Sequence, residues 1–282
     1  MYSADERTAP LFLFGSALLW SLVGVFTKSF AWDSLCLAAL KGTLAFAGAW
    51  FLVRNRKLKL TRIKAITAVC YFVQGLLFVF ANKYTTSANA TVLQNMSPLY
   101  IILFDALLNK HFPTKKEITV CAVLFLGIIL AFAGNMAGGQ MLGNICAIVS
   151  ALFYAGVYFF NKQEGADPEE SLFWGNAPYL LLLPMMLTNE TVQQTGAKDW
   201  ALLILLAFLT GFCAWFCFSI GIKKTTALQA SFITLSEPVM APIFAYIFLK
   251  ESISTLSLIG CVIVIGTLLV YNVDKVKSSA AA

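Results

Sequence analysis

Apolar residues dominate ten stretches of the chain, about 10–28, 34–53, 65–82, 87–108, 117–134, 141–161, 171–188, 200–220, 227–248 and 254–272. Each is close to the roughly 20 residues that a helix needs to cross the hydrocarbon of a bilayer. The polar stretches between them are short and leave no room for a soluble domain. The seventh stretch, "SLFWGNAPYLLLLPMML", is polar near its start and carries Pro178 and Pro184. Membrane helices tolerate such prolines where neighbours or water satisfy the freed carbonyls. The pattern predicts an all-α integral membrane protein with ten transmembrane helices.

Charge gives these spans a sidedness. With ten crossings, one side receives both termini and the loops after spans 2, 4, 6 and 8. That side collects fifteen of the twenty Lys and Arg, six of them in "RNRKLKLTRIK". Positive charge beside span ends marks the cytoplasmic side, so both termini are expected inside a multi-pass protein of the cytoplasmic (inner or plasma) membrane. The basic loop is then a topology signal first, with membrane lipid headgroups as an incidental partner. The start "MYSADERTAP" is too acidic for a signal peptide, and the first apolar run reads as a retained helix.

Composition strengthens the reading. Of 282 residues, 59% are hydrophobic and 12% charged, against about a quarter charged in soluble domains. That excludes a packed water-soluble fold. The net charge of +6 is explained by topology, and no nucleic-acid partner is expected. Seven cysteines and one histidine make no ligand-spaced cluster, so neither a metal site, a cofactor nor a disulfide framework is expected.

The chain also repeats itself. Shifted by 140 residues, "KYTTSANATVLQNMSPLYIILFDALLNK" lies over "KKTTALQASFITLSEPVMAPIFAYIFLK" without a gap. Lys83, Thr85, Thr86, Ala90, Pro98, Phe104 and Lys110 meet Lys223, Thr225, Thr226, Ala230, Pro238, Phe244 and Lys250. Two halves, 1–136 and 137–282, would each hold five spans. Five is odd, so the second copy enters the membrane inverted, as in many secondary transporters whose sites lie where the repeats meet near the midplane. Pro98, Pro238 and the nearby Pro242 mark places where spans 4 and 9 would break and gate.

These features together resemble the EamA-type proteins of the drug/metabolite transporter superfamily. The resemblance rests on "ALLWSLVGVFTK", "ALKGTLAFAGAWFL", "YTTSANATVLQNMSPLYIILFDALL" and "TTALQASFITLSEPVMAPIFAYIFLKESIS". The first copy departs from the family's ending, with His111 where an acid is usual, and Lys41 stands where span 2 commonly opens with Arg. The resemblance implies two inverted five-helix bundles whose spans 1–4 and 6–9 surround a central cavity. It implies peripheral spans 5 and 10 that support homodimer contacts, and export of small organic solutes.

A charge at mid-bilayer costs about 2.5–3.5 kcal/mol on insertion scales, so one that persists faces protein or water. Glu237 is therefore either a proton-coupling or cation-binding carboxylate, or a brace for the kink at Pro238. Lys41, about eight residues into span 2, either snorkels and pairs structurally or meets an anionic group of the solute. Asp105 lies near a span end and needs only to snorkel. The expected substrate contacts are Trp20, Lys41, Gln74, Thr91, Gln94, Asn95, Tyr154, Tyr158, Trp215, Gln229, Thr234 and Glu237. Uncharged amides and hydroxyls also hold helices together, and Ala147, Ala151 and Ala155 read as a close-packing stripe. No Walker motif, HExxH or GxSxG is present, which leaves ATP hydrolysis, intramembrane catalysis and a scaffold role behind a secondary transporter. Amino acids or related metabolites, exported by alternating access, are the expected cargo. Import, facilitated diffusion and multidrug efflux are the alternatives.

Overall fold

The computed structural model describes residues 8–133, 141–250 and 254–280, and among these no strand occurs. Helix α1 runs Ala9–Lys28, α2 Ser34–Val53 and α3 Arg62–Tyr84. Helix α4 is broken into Ser87–Gln94 and Ser97–Leu108. Next come α5, Lys115–Ala133, and α6, Met141–Phe160. Helix α7 is Pro168–Asn176, tightening to a 3-10 stretch over Ala177–Thr188. Helix α8 runs Ala197–Ile222 with a π-turn at Ala207–Cys213. Helix α9 is Ala227–Ile233, a 3-10 turn Thr234–Ser236, then Glu237–Phe244, and α10 is Thr255–Ala280.

Six of these runs, α1, α2, α3, α4, α6 and α8, are long and apolar enough to cross a membrane. Their outward faces are apolar as well: Leu11, Phe51 and Leu107 are between 63% and 69% exposed. In water such a surface would be a liability. In lipid it is the expected one, because helices there associate by packing and polar contacts rather than by hiding apolar area. The chain is an integral membrane protein.

Local sequence sets the helix ends. Asp33 caps α2 by accepting from the N–H groups of Leu35 (2.9 Å) and Cys36 (3.0 Å). Asp167 caps α7 with Pro168 in its first turn, where a missing N–H costs nothing. The two stretches that the 140-residue shift superposes behave alike. Thr86 and Thr226 cap α4 and α9 through their side chains, each accepting at 3.1 Å from the residue three further on. Both helices then break, after Gln94 in α4 and over Thr234–Ser236 in α9. Pro98 and Pro238 are buried in the first turn of the helix beyond each break. Lys110 and Lys250, just past the ends, both take positive φ (57° and 56°), an uncommon backbone for a residue with a Cβ. The Pro242 side chain lies outside the described residues.

The expected alanine stripe packs α6 against α3. Ala147, Ala151 and Ala155 are fully buried, and a Cβ on Gly156 would lie 2.6 Å from the Cys70 sulfur. Helices α5 and α10 pack on each other, where Gly127 brings the Gly260 carbonyl close. The described cysteines are unpaired thiols.

Ionic side chains gather at one end of the bundle. Arg56, in the α2–α3 loop, pairs with Asp167 (3.2 Å) and Glu169. Lys64 pairs with Glu170 (2.8 Å), and Lys223, after α8, with Glu169 (2.6 Å). The opposite end is closed by other means. Trp32 donates to the Thr195 hydroxyl (2.8 Å) and its ring meets Phe30 and Trp200, while Asn189 donates to Asp33 and Lys83 to the Phe30 carbonyl. Burial raises the Asp33 carboxyl, but the Cys36 and Leu35 groups that donate to it outweigh that and hold it below the usual carboxylate range. Asp105 is satisfied by Asn109 (2.7 Å) and His111 (3.1 Å) at the end of α4.

Candidate functional site

Between these closed ends lies a central cavity of ≈ 50 Å³. It is lined from α1, α2, α3, α4, α6, α7, α8 and α9, and by no residue of α5 or α10. A water needs about 10–15 Å³ of such space, so this conformation of the cavity has room for a few waters, and admitting an amino-acid-sized solute requires the helices around it to part.

Seven of the sequence-predicted residues converge on it: Trp20, Lys41, Gln74, Gln94, Tyr154, Trp215 and Glu237. Glu237 enters at the break in α9 and is 2% exposed. One of its oxygens, Oε2, has no hydrogen-bond partner. Lys41, from α2, is near enough for its charge to act on Glu237, yet among the described residues it makes no ion pair. The cavity wall thus carries one basic and one acidic side chain that make no ion pair with each other.

Amides form the next wall. Gln94 donates from Nε2 to Ser150 (2.7 Å) and to Oε1 of Gln74 (3.3 Å), and Ser150 donates to the Gln74 carbonyl (3.0 Å). The chain ties α3, α4 and α6 together and fixes both glutamines. Aromatic rings complete the surface. Trp20 meets Trp215 at 4.5 Å and Tyr154 at 5.8 Å, and Tyr71 meets Trp215 at 4.7 Å, with ring planes steeply inclined in all three pairs. The Trp20 indole N–H is buried without an acceptor.

The other predicted contacts stand apart from the cavity. Thr91 and Asn95 are buried in α4, with Asn95 Nδ2 donating to the Thr91 carbonyl (2.8 Å). The Asn95 amide lies beside Glu237, and its Oδ1 has no partner. Tyr158 sits one layer behind Tyr154, donating to its hydroxyl (3.0 Å) and lying 2.6 Å from the Thr234 hydroxyl. Gln229 does not line the cavity. It is spent in a capping box at the start of α9, accepting from the Thr226 N–H (3.1 Å). That places it at the helix end, away from the cavity.

Four polar residues in the lining were not among the predicted contacts: Tyr71, Asn176, Tyr179 and Thr210. Tyr179 follows Pro178 in the 3-10 stretch of α7. Its ring fills the space a side chain on Gly42 would need, and its hydroxyl donates to the Phe72 carbonyl (3.0 Å). Gly42 of α2 and Gly75 of α3 form the notch that receives it.

Buried polar groups are nearly always hydrogen-bonded, and an orphaned acceptor costs about 1–3 kcal/mol. Here Glu237 Oε2 and the Trp20 N–H, both in the cavity wall, lack partners, and Asn95 Oδ1 is likewise orphaned beside Glu237. The arrangement suits reversible occupancy by water and a polar solute. It contains no nucleophile–base pair, and no metal-binding cluster occurs among the described residues.

Known proteins agree with this architecture. An uncharacterized transporter of Archaeoglobus fulgidus is 26% identical over 262 residues, covering 90% of this chain and 93% of its own length. The pseudopaline exporter CntI of Pseudomonas aeruginosa is 26% identical over 149 residues, 52% of this chain and 50% of that one. A crystal structure at 19% identity superposes with a TM-score of 0.72 over 94% of this chain and 96% of its own, which speaks to the fold alone. The EamA-like transporter family matches residues 7–133 and again 141–273. With a cavity across its midst and that family covering nearly all its length, the chain belongs to the EamA-like transporter family and is a membrane transporter, not an enzyme.

Proposed function

We propose that the chain exports small zwitterionic solutes, amino acids or related metabolites, across the cytoplasmic membrane by alternating access. It does so as ten crossings in two inverted halves, 1–136 and 137–282, with both termini inside. The observation that carries the solute class is the presence of Lys41 and Glu237 in the wall of one cavity. A carboxylate on the solute answers Lys41. An ammonium answers Glu237 Oε2 and Asn95 Oδ1, with the inclined rings of Trp20, Tyr154 and Trp215 as its cation–π wall. The two-half reading is supported by the paired caps, breaks, prolines and positive-φ lysines of α4 and α9, and by the doubled family match. Sidedness is supported by the ion pairs that bring the loops after α2, α6 and α8 to one end. Export is supported by the name of the Pseudomonas relative.

The test is a binding panel of amino acids, polyamines, nucleosides and sugar phosphates, read as thermal stabilisation of wild type and Glu237→Gln. A hydrogen bond to a charged group contributes about 1.5–3 kcal/mol, so Glu237→Gln should weaken a true zwitterionic ligand by about ten- to one-hundred-fold. A ligand that stabilises both proteins equally removes Glu237 from the site. Uptake of that ligand into inverted vesicles then decides direction. Import or facilitation predicts no accumulation there, and multidrug efflux predicts uptake of apolar cations that Lys41→Gln leaves intact.

A further inference from the structure

Apart from the central cavity, the bundle carries a larger cleft, ≈ 470 Å³, on its outer surface between α3, α4 and α6. Its lining is apolar throughout, including Ile66, Val69, Phe104, Phe153 and Phe160. Ile66 and Val69 are 45% and 55% exposed, so the cleft opens outward from the bundle. It begins about one turn into α3 and reaches Cys70, eight residues in, about 12 Å down the helix. That is most of one leaflet's hydrocarbon depth.

The rim of the cleft is cationic. Arg62 opens α3 and shares a helical face with Ile66 and Val69, four and seven residues on. Arg62 is exposed and has no partner among the described residues, and the same holds for the Lys59 ammonium just before it. Two carboxylates of this end are already engaged, Asp105 by Asn109 and His111 and Glu170 by Lys64. An apolar trough one leaflet deep, headed by unpaired cations at the polar boundary, matches an acyl chain beneath an anionic headgroup.

We propose that this cleft is a binding site for one anionic phospholipid, its chain lying along Ile66, Val69 and Phe153 and its phosphate meeting Arg62 and Lys59. A second copy of the chain suits the cleft less well. A two-fold contact brings the same patch from each copy together and would set Arg62 and Lys59 against their own images with no acid to offset them. The site shares no lining residue with the central cavity, and its test does not depend on what the cavity carries.

The full chain, delipidated in detergent and titrated with phosphatidylglycerol or phosphatidylcholine, reports bound lipid per chain by native mass spectrometry. One phosphatidylglycerol per chain should be retained in preference to phosphatidylcholine. Arg62→Gln should weaken the former about fivefold, from the roughly 1 kcal/mol that a basic residue contributes at an anionic surface, and leave the latter unchanged. Val69→Trp fills the trough from its exposed side and should reduce retention of phosphatidylglycerol while Arg62 stays in place. Equal retention of the two lipids in wild type overturns the proposal, as does an Arg62→Gln variant that holds phosphatidylglycerol as before. A shift from dimer to monomer in Val69→Trp, with lipid retention unchanged, would assign the cleft to a second copy instead.

Discussion

Glu170→Ala is predicted to be the most damaging single change at the ionic end of the bundle, and the reason lies in what it strands. Lys64 is 9% exposed, and its ammonium has Glu170 as its sole partner among the described residues, at 2.8 Å. Removing one member of a buried pair leaves the other charge uncompensated, at a cost of about 3–5 kcal/mol. The lower part of that range applies, because Lys64 sits in the first turn of α3 where water and headgroups are close. Glu169→Ala provides the control. Glu169 is as buried as Glu170 at 5%, but its partners have somewhere to go. Arg56 keeps Asp167 at 3.2 Å, and the Lys223 side chain is 37% exposed and can turn to water. Its loss should cost about 1–2 kcal/mol, near a hydrogen bond plus a weak surface pair. The double variant Lys64→Met, Glu170→Leu replaces the pair with apolar volume and should return close to wild type. Equilibrium unfolding in mixed micelles ranks the three. Equal costs for Glu169→Ala and Glu170→Ala, or a double variant no better than Glu170→Ala alone, would refute the stranded-charge reasoning.

Two further changes probe the opposite end and the cavity edge. Gly42→Ala drives a methyl into the Tyr179 ring and should destabilise by about 1–3 kcal/mol, as overpacking does; Tyr179→Leu in the same chain should relieve it, and a neutral Gly42→Ala would remove Tyr179 from the notch. Asp33 has its folded carboxyl held low by its α2 capping bonds, so its contribution is complete above the ordinary carboxylate pKa and is lost as pH falls through the lower folded value. Asp33→Ala should cost about 1 kcal/mol at neutral pH and flatten the acid limb of a stability–pH curve; an acid limb unchanged from wild type would contradict that.

How much of the fold and site is legible in the sequence depends on how rare each signal is. Charges and amides are scarce inside apolar spans, so Lys41, Glu237, Gln74 and Gln94 stand out in the chain itself, and in the fold they do meet. Tyr71, Tyr179 and Thr210 carry no such signal, since hydroxylated and aromatic residues are ordinary in membrane helices. Gln229 is misplaced by polarity alone, although its role is written in the chain. Thr226-Ala-Leu-Gln229 is a capping box, and a helix start there puts Gln229 at the membrane edge. The ion pairs are invisible for a different reason. Arg56 and Asp167 are 111 residues apart, and no periodicity links two loops. Charge patterning says only that both loops belong on one side.

The ionic contacts also bear on how two halves could part. Arg56 and Lys64 belong to residues 1–136, and Asp167, Glu169, Glu170 and Lys223 to residues 137–282. In the two-half division proposed above, three of the four pairs at this end bridge the halves, and only Lys223–Glu169 lies within one. If the halves separate here, Glu169 loses Arg56 but keeps Lys223 at its side, so the most shared carboxylate is never buried alone. The departing Arg56 and Lys64 emerge beside other cations at a headgroup surface, where anionic lipid can take over the lost carboxylates. The opposite end has no such exchange of partners. Trp32, Phe30 and Trp200 are held by ring packing, the indole hydrogen bond and the Lys83 bond to the Phe30 carbonyl, with no ion pair among them, and opening there exposes aromatic surface to water. Salt screens the first seal over a Debye length of about 8 Å at physiological ionic strength and leaves the second nearly untouched, so ionic strength should bias the protein toward opening at its basic end.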